Sequence, residues 1–247
     1  MEVYIGTSGW TYSHWEGRFY PEGLSKKKWL SYYMGQFCTV ELNATFYRSI
    51  KGETFARWYG LSPAGFVWSV KMSRFITHIK RLQNCEEALE RFIATLIPLK
   101  EKLGCILVQL PPSLAFHEDE IVRFRHLIPS GLKVAIEARN RKWLAPEVME
   151  TLRGLGIAWC ISDTAGRYPY AEEVTADFVY IRLHGSQSLY KSLYTEEELS
   201  SWAQKIKGWG RTTYVYFDND YMAYAPRNAA RLKELMKERK EEGKERW

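Results

Sequence analysis

Residues 178–184 read FVYIRLH, an apolar, β-branched run that closes on Arg182 and His184, two positions apart. Such a run predicts a buried strand. Side chains at i and i+2 share a face of a strand, so Arg182 and His184 project the same way. Working outward, runs of this kind recur at fairly even intervals: 3–7 (VYIGT), 38–42 (CTVEL), 66–71 (FVWSVK), 105–110 (CILVQL), 133–137 (KVAIE), 157–161 (IAWCI), 178–183 (FVYIRL) and 213–217 (TYVYF). Most are separated by helical periodicity. In Glu86–Leu103 the apolar residues Leu89, Phe92, Ile93, Leu96 and Ile97 recur at three- and four-residue steps, with Pro98 expected to interrupt the helix. Further helices are expected at Pro21–Gly35, Gly52–Tyr59, Glu118–Ile128, Pro146–Leu155, Thr195–Lys207 and Arg227–Glu242. Thr195 followed by Glu198 reads as a capping box. Eight strands alternating with seven or eight helices in 247 residues predict an α/β fold, a single (β/α)8 TIM barrel over residues 1–247. The alternative, a doubly wound open sheet, fits the even spacing less well. No Gly/Ser run, Pro-rich segment or shift in composition marks a linker.

The composition excludes several classes. Hydrophobic residues make up 46% and charged residues 26%, the balance of a soluble globular protein and not of a disordered or collagen-like chain. No apolar run reaches the roughly 18–20 residues that span a bilayer. MEVYIGTSGW lacks the basic start and apolar stretch of a secretory signal, so a cytoplasmic location is expected. Cys38, Cys85, Cys105 and Cys160 form no CxxC pair; three lie within apolar runs (FCTVEL, GCILVQL and IAWCIS) and read as buried small hydrophobes. A net charge of +6 permits an anionic partner without demanding nucleic acid. The charged tail, KELMKERKEEGKER (233–246), reads as a solvated helix.

Chemistry in an α/β barrel sits at the carboxyl ends of the strands, and that is where the polar residues fall. The strands run in turn into Thr7-Ser8-Gly9-Trp10; Glu41 and Asn43; Lys71, Arg74 and His78; Gln109; Glu137 and Arg139; Asp163; Arg182 and His184; and Asp218, Asn219 and Asp220. Glu41 with Asn43, Glu137 with Arg139, and Arg182 with His184 are i, i+2 pairs. Glu41 and Glu137 are candidates for an acid/base pair. Glu41, Glu137, Asp163 and His184 together carry donors that a divalent ion such as Mg²⁺, Mn²⁺ or Zn²⁺ accepts, though without HxxE or HxH spacing. His184 oriented by a carboxylate is a candidate general acid or base. The loop 71–81 holds four Lys/Arg and no acid, and Arg139, Arg141 and Lys142 precede Trp143. Cations interleaved with aromatics suit phosphate contact and base or sugar stacking. Gly9–Tyr20 reads as a wall or lid, and Tyr190 and Tyr194 as closing over a ligand. No nucleophile elbow, Gly-rich dinucleotide turn or phosphate-binding Gly-Lys-Ser/Thr motif is present, so no nucleotide cofactor is expected.

The segments GTSGWTYSHWEGRFYP (6–21), ELNATFYR (41–48), VKMSRFITH (70–78), VQLPPS (108–113), IEARNRKW (136–143), IRLHG (181–185), YVYFDND (214–220) and APRNAARL (225–232) resemble, in order, the serial motifs of the YecE-like family, also called domain of unknown function 72. The resemblance covers essentially the whole chain. It implies a TIM barrel related to those of endonuclease IV and xylose-isomerase-like enzymes, and no settled activity. It implies functional positions at Glu41, Asn43, Tyr47, Lys71, His78, Gln109, Glu137, Arg139, Trp143, Asp163, Arg182, His184 and Asn219. Where that family usually reads Tyr-Phe-Asn-Asn, this chain has Tyr216-Phe217-Asp218-Asn219, which adds a negative charge and speaks against anion binding by Asp218. With His184 as the one strand-end histidine, a three-zinc site is not expected.

The resulting expectation is an enzyme, phosphodiesterase-like, acting on nucleic acid or a sugar phosphate. Glu41, Glu137, Asp163 and His184 would be catalytic. Asn43, Tyr47, Lys71, His78, Gln109, Arg139, Trp143, Arg182 and Asn219 would bind substrate. The alternatives are a non-catalytic nucleic-acid-binding protein and a carboxylate-based glycoside hydrolase.

Overall fold

The computed structural model describes residues 1–238. Among them, eight parallel strands, β1 (Val3–Thr7), β2 (Thr39–Leu42), β3 (Val67–Lys71), β4 (Leu103–Gln109), β5 (Lys133–Glu137), β6 (Ala158–Asp163), β7 (Phe178–Leu183) and β8 (Thr212–Phe217), run in the order β1-β8-β7-β6-β5-β4-β3-β2. The sheet curls until its edges meet: Ser8 bridges Glu41, and the Gly9 N–H donates to the Glu41 carbonyl at 2.8 Å. Gly6 permits this closure, because a Cβ there would lie 2.3 Å from the Thr39 carbonyl oxygen. The fold is the expected (β/α)8 barrel.

The helices are α1 (Trp29–Gln36), α2 (Ala44–Tyr47), α3 (Gly52–Leu61), α4 (Glu86–Leu96), α5 (Glu118–His126), α6 (Pro146–Gly154), α7 (Glu196–Trp209) and α8 (Tyr224–Lys237). The capping box forms: Thr195 Oγ1 accepts from the Glu198 N–H, and Glu198 Oε2 from the Thr195 N–H. Pro98 acts as expected, since α4 stops at Leu96 and Ile97–Lys102 continue as a 3-10 helix. Three expectations shift. The first helix begins at Trp29 instead of Pro21, because Pro21–Leu24 form a turn through the left-handed Gly23 and Lys26–Lys28 form a 3-10 turn. The last begins at Tyr224 instead of Arg227; residues 239–242 of its expected span, and 239–246 of the charged tail, lie outside the described residues. Cys38, just ahead of β2, is exposed, while Cys85, Cys105 and Cys160 are buried.

Alternation divides the core in two. One face of each strand packs outward against the helices, with Trp68, Val70, Ile136, Ile161 and Ile181 buried there. The other face fills the barrel with Val67, Cys105, Leu107, Ala135, Ala158, Cys160, Phe178, Tyr180, Tyr214 and Tyr216. The inward tyrosines need partners for their hydroxyls. Tyr216 Oη reaches Ser69 Oγ at 2.8 Å and Thr39 Oγ1 at 2.7 Å, and Tyr180 Oη points up the barrel to Glu41. No helix among the described residues is long and apolar enough to cross a membrane.

Candidate functional site at the barrel mouth

Continued by one step, the inward parity places Ser8, Glu41, Lys71, Gln109, Glu137, Ser162, Arg182 and Asp218 in the top layer of the barrel. Arg182 is the hub, 1% exposed. Its Nε donates to both oxygens of Glu41 at 3.0–3.1 Å. Nη1 donates to Glu137 Oε2 at 2.6 Å and faces His184 Nε2 at 3.1 Å. Nη2 donates to Glu41 Oε1 at 2.8 Å, Asp218 Oδ2 at 3.1 Å and Ser8 Oγ at 3.2 Å. A guanidinium has five N–H donors, and all are engaged. Arg182 therefore holds the site's own carboxylates together, with no donor left for a substrate anion. Glu41 is further held by Tyr180 Oη at 2.7 Å and Ser8 Oγ at 2.6 Å, and Glu137 by Gln109 Nε2 at 2.9 Å.

The electrostatics follow. Burial opposes ionisation of Glu137, but Arg182, then His184, Arg139 and Lys71, outweigh it and hold the carboxyl well below its ordinary range. A glycosidase acid needs the opposite shift, so an acid role for Glu137 has no electrostatic support here. Asp218 is likewise depressed, Arg182 and His184 prevailing over burial. His184 is fully buried under Tyr190, ring centroids 5.5 Å apart. Its Nδ1 lies 2.9 Å from Asp218 Oδ2. Arg182 Nη1 can only donate, so it is the donor toward His184 Nε2, while Nδ1 approaches Asp218 without meeting hydrogen-bond geometry. The loop above is shaped by Gly185, at φ +120°, where a Cβ would lie 2.4 Å from the Ser188 carbonyl oxygen.

The rim is built differently. Lys71 ends β3, 7% exposed, with Nζ 4.3 Å from the centre of the Phe46 ring. Burial and then Arg182 push its ammonium down to about 8, against the pull of Glu137, Glu41 and Asp218. A single π-helical turn, Phe75–Ile79, follows and carries His78. Burial, then Lys71, Arg74 and Arg139, push His78 down to about 4, so its imidazole is uncharged near neutrality. Arg139 lies 3.4 Å from Glu137 Oε1 and stacks over Tyr168 at 4.4 Å. Tyr47 and Phe75 are exposed beside these cations.

Three sequence expectations lie elsewhere. Asp163 has the opposite parity from Ser162: it turns to the helix layer, accepts from Tyr194 Oη at 2.8 Å and lines a cavity of 400 Å³ with Glu198, Trp202 and Lys205. Burial raises its carboxyl, with Tyr194 pulling the other way. Asn219, also of outward parity, is fully buried and ties Ser192 O and Asn228 Oδ1. Trp143 is fully buried, its Nε1 donating to Leu114 O at 2.9 Å and its ring packed on Phe116. Asn43 sits at the start of α2 with a buried, unpartnered Oδ1. Among the described residues no group of three or more His, Cys, Asp or Glu is arranged to hold a metal ion. The divalent-ion set Glu41, Glu137, Asp163 and His184 is divided, with Arg182 between the glutamates and Asp163 outside the barrel. Sequence reasoning left Ser8, Tyr180 and Asp218 out of the site. Counting every second residue inward from Arg182 or Tyr216 finds Tyr180 and Asp218.

The fold and its mouth define a (β/α)8-barrel protein with a charged carboxyl-terminal face. The chain belongs to the family described as protein of unknown function DUF72, whose model matches residues 4–246. It is 27% identical over 252 residues to the UPF0759 protein YecE of Escherichia coli K12, covering 91% of this chain and 89% of that one. It is 24% identical over 270 residues to UPF0759 protein YunF of Bacillus subtilis, covering 95% and 94%. A solved DUF72 family structure from Thermotoga maritima is 31% identical, with a TM-score of 0.88 over 96% of this chain and 100% of that one. One from Enterococcus faecalis, at 19% identity and a TM-score of 0.83 over 96% of each chain, shares the fold.

Proposed function

We propose that the barrel mouth is the active site of an enzyme acting on a phosphate-bearing substrate, a nucleic acid or a sugar phosphate. The observation that carries this reading is an imbalance at the mouth. Glu41, Glu137 and Asp218 are all engaged by Arg182, while Lys71 and Arg74 on the rim have no carboxylate within 4.0 Å among the described residues and Arg139 has one long contact. Cations without carboxylate partners bind anionic oxygens. Arg139 and Arg74 supply fixed charges, and Lys71 adds one when protonated. His184, with Nδ1 2.9 Å from Asp218 Oδ2, is the group able to move a proton. Glu137, kept ionised, keeps Arg182 in place. Gln109, Asn43 and Tyr47 face hydroxyls, amides or bases.

The test is binding and turnover together. The protein is incubated with inorganic phosphate, ribose 5-phosphate and labelled single- and double-stranded DNA and RNA, with Mg²⁺, Mn²⁺ or EDTA, across a salt series. Binding that weakens in Arg139→Ala, with turnover lost in His184→Ala, supports the enzyme. Absence of binding to every phosphate-bearing probe at moderate salt overturns it. The exposed Tyr47 and Phe75 beside the rim cations favour a second reading, nucleic-acid binding without catalysis. That reading expects a salt slope that falls on removal of Arg139, and no product.

A further inference from the structure

Lys71 differs from the other rim cations in kind and in place. It is the one amine among Lys71, Arg74 and Arg139, and a guanidinium cannot lose its proton in a protein. It has inward parity and is 7% exposed. Among the described residues its Nζ has no hydrogen-bond acceptor and no carboxylate within 4.0 Å. Its position is fixed from below. Thr45 Oγ1 donates to the carbonyls of Leu42 at 3.1 Å and Lys71 at 2.6 Å, which ties α2 to the end of β3 and sets Phe46 against the amine. The carboxylates in its surroundings, Glu41, Glu137 and Asp218, are committed to Arg182. Arg182, Arg74, Arg139 and His78 complete those surroundings.

A buried ammonium without an ion pair is unfavourable, and a buried neutral amine is not. An amine held this way gives up its proton more readily than an exposed lysine, and its free base is a nucleophile. We propose that Lys71 attacks the carbonyl carbon of a phosphate-bearing aldehyde or ketone and holds it as an imine; this rests on the phosphate reading of the mouth and narrows its substrate class. The Nζ lone pair forms the C–N bond while the carbonyl π pair moves to oxygen. A proton passes from nitrogen to that oxygen, giving the carbinolamine. The hydroxyl, protonated once more, then leaves as water, and the nitrogen lone pair forms the C=N bond of the protonated imine. No oxidant or reductant takes part. Arg139 and Arg74, which with Lys71 share the surroundings of His78, would supply counter-charge to the phosphate of such a compound.

The experiment traps the imine. The full chain is incubated with glyceraldehyde 3-phosphate and cyanoborohydride, and the adduct is mapped by peptide mass spectrometry. Glyceraldehyde without phosphate, and competition by inorganic phosphate, are parallel arms. Lys71→Arg and Lys71→Met are compared, with thermal melts to verify folding and phosphate binding measured separately. The expected result is one dominant adduct on Lys71, forming several-fold faster as pH rises from 7 to 9 and slowed by inorganic phosphate. Lys71→Arg should fold, as its thermal melt reports, and take no label at that position. Label spread over surface lysines, in a folded protein that binds phosphate, overturns the imine and leaves the phosphate reading standing. Equal labelling of Lys71 by both aldehydes without phosphate binding keeps the imine and overturns the phosphate reading. Neither label at Lys71 nor phosphate binding overturns both.

Discussion

At the floor of the barrel mouth every N–H of Arg182 is directed at an acceptor within the protein, whereas at the rim Lys71 and Arg74 meet no acceptor among the described residues. At the floor one buried guanidinium is shared by three carboxylates; the rim carries Lys71, Arg74 and Arg139 and is open on one side. A cation with all its donors satisfied holds structure, and one without partners is free for a ligand and lowers stability until the ligand arrives. The two regions therefore separate by the sign of their effect on folding.

The largest effect is expected at the floor. Arg182→Met leaves Glu41, Glu137 and Asp218 buried without their shared counter-charge, and breaking a buried pair costs about 3–5 kcal/mol. Urea unfolding of wild type and variant measures it. A loss below about 1 kcal/mol would mean that the cluster is wetter than its burial indicates. Acid sharpens the same point. Glu137 and Asp218 have folded pKa values below their unfolded ones, so their contribution is fully present above the unfolded carboxyl range, near 4, and is lost as pH falls through the depressed folded values. Wild type should lose stability steeply below about pH 4, and Glu137→Gln less steeply.

The rim should show the reverse sign. Lys71 has its folded pKa lowered to about 8 from 10.5, so the folded state binds fewer protons than the unfolded state between those values, and stability rises with pH across that window. Below it, charging the buried amine costs on the order of 1–3 kcal/mol. Lys71→Met should therefore be more stable than wild type at pH 7 by about that amount, with the advantage shrinking toward pH 10.5, while imine trapping is lost. Thermal melts across pH measure it; a destabilised Lys71→Met would place Lys71 with the floor. Arg139→Ala, with one 3.4 Å contact and a ring stacked on it, should change stability by less than about 1 kcal/mol. Its phosphate affinity should fall roughly tenfold to a hundredfold, the worth of a charge-assisted hydrogen bond.

The division between floor and rim was only partly legible in the sequence. Eight evenly spaced apolar runs were enough for the barrel, because strand and helix periods are local properties of side-chain spacing. The i, i+2 pairs at Glu137/Arg139 and Arg182/His184 were legible for the same reason. Which charge meets which was not, because β2, β5 and β7 are far apart in the chain and come together through closure. Hence the sequence offers Arg182, Glu41 and Glu137 as separate strand-end groups, and only the closed barrel joins both carboxylates to one guanidinium. Trp143 follows no strand pattern, since it lies in the short helix Arg141–Leu144 and its burial depends on Leu114 and Phe116 of another loop.

The parity rule itself can be put to the test with the smallest expected effect. Asp163 is the last residue of β6 and Asp218 the first after β8, and composition does not tell them apart. Asp218 has the parity of Tyr214 and Tyr216, inside the barrel, and contacts Arg182 and His184. Asp163 has the parity of Trp159 and Ile161, on the helix side, and accepts from Tyr194. An asparagine at 163 can still accept that hydroxyl, and burial already disfavours the charged form of Asp163. Asp163→Asn should therefore change stability by no more than about 0.5–1 kcal/mol and leave phosphate affinity where it is. Asp218→Asn removes a charge held against Arg182 and 2.9 Å from His184 Nδ1, so it should cost more in stability and shift the pH dependence of any turnover. Calorimetry and pH–rate profiles on the two variants compare them directly. Equal effects would mean that alternation fails at the strand ends, and that floor and rim are not separated by which way the last inward residue points.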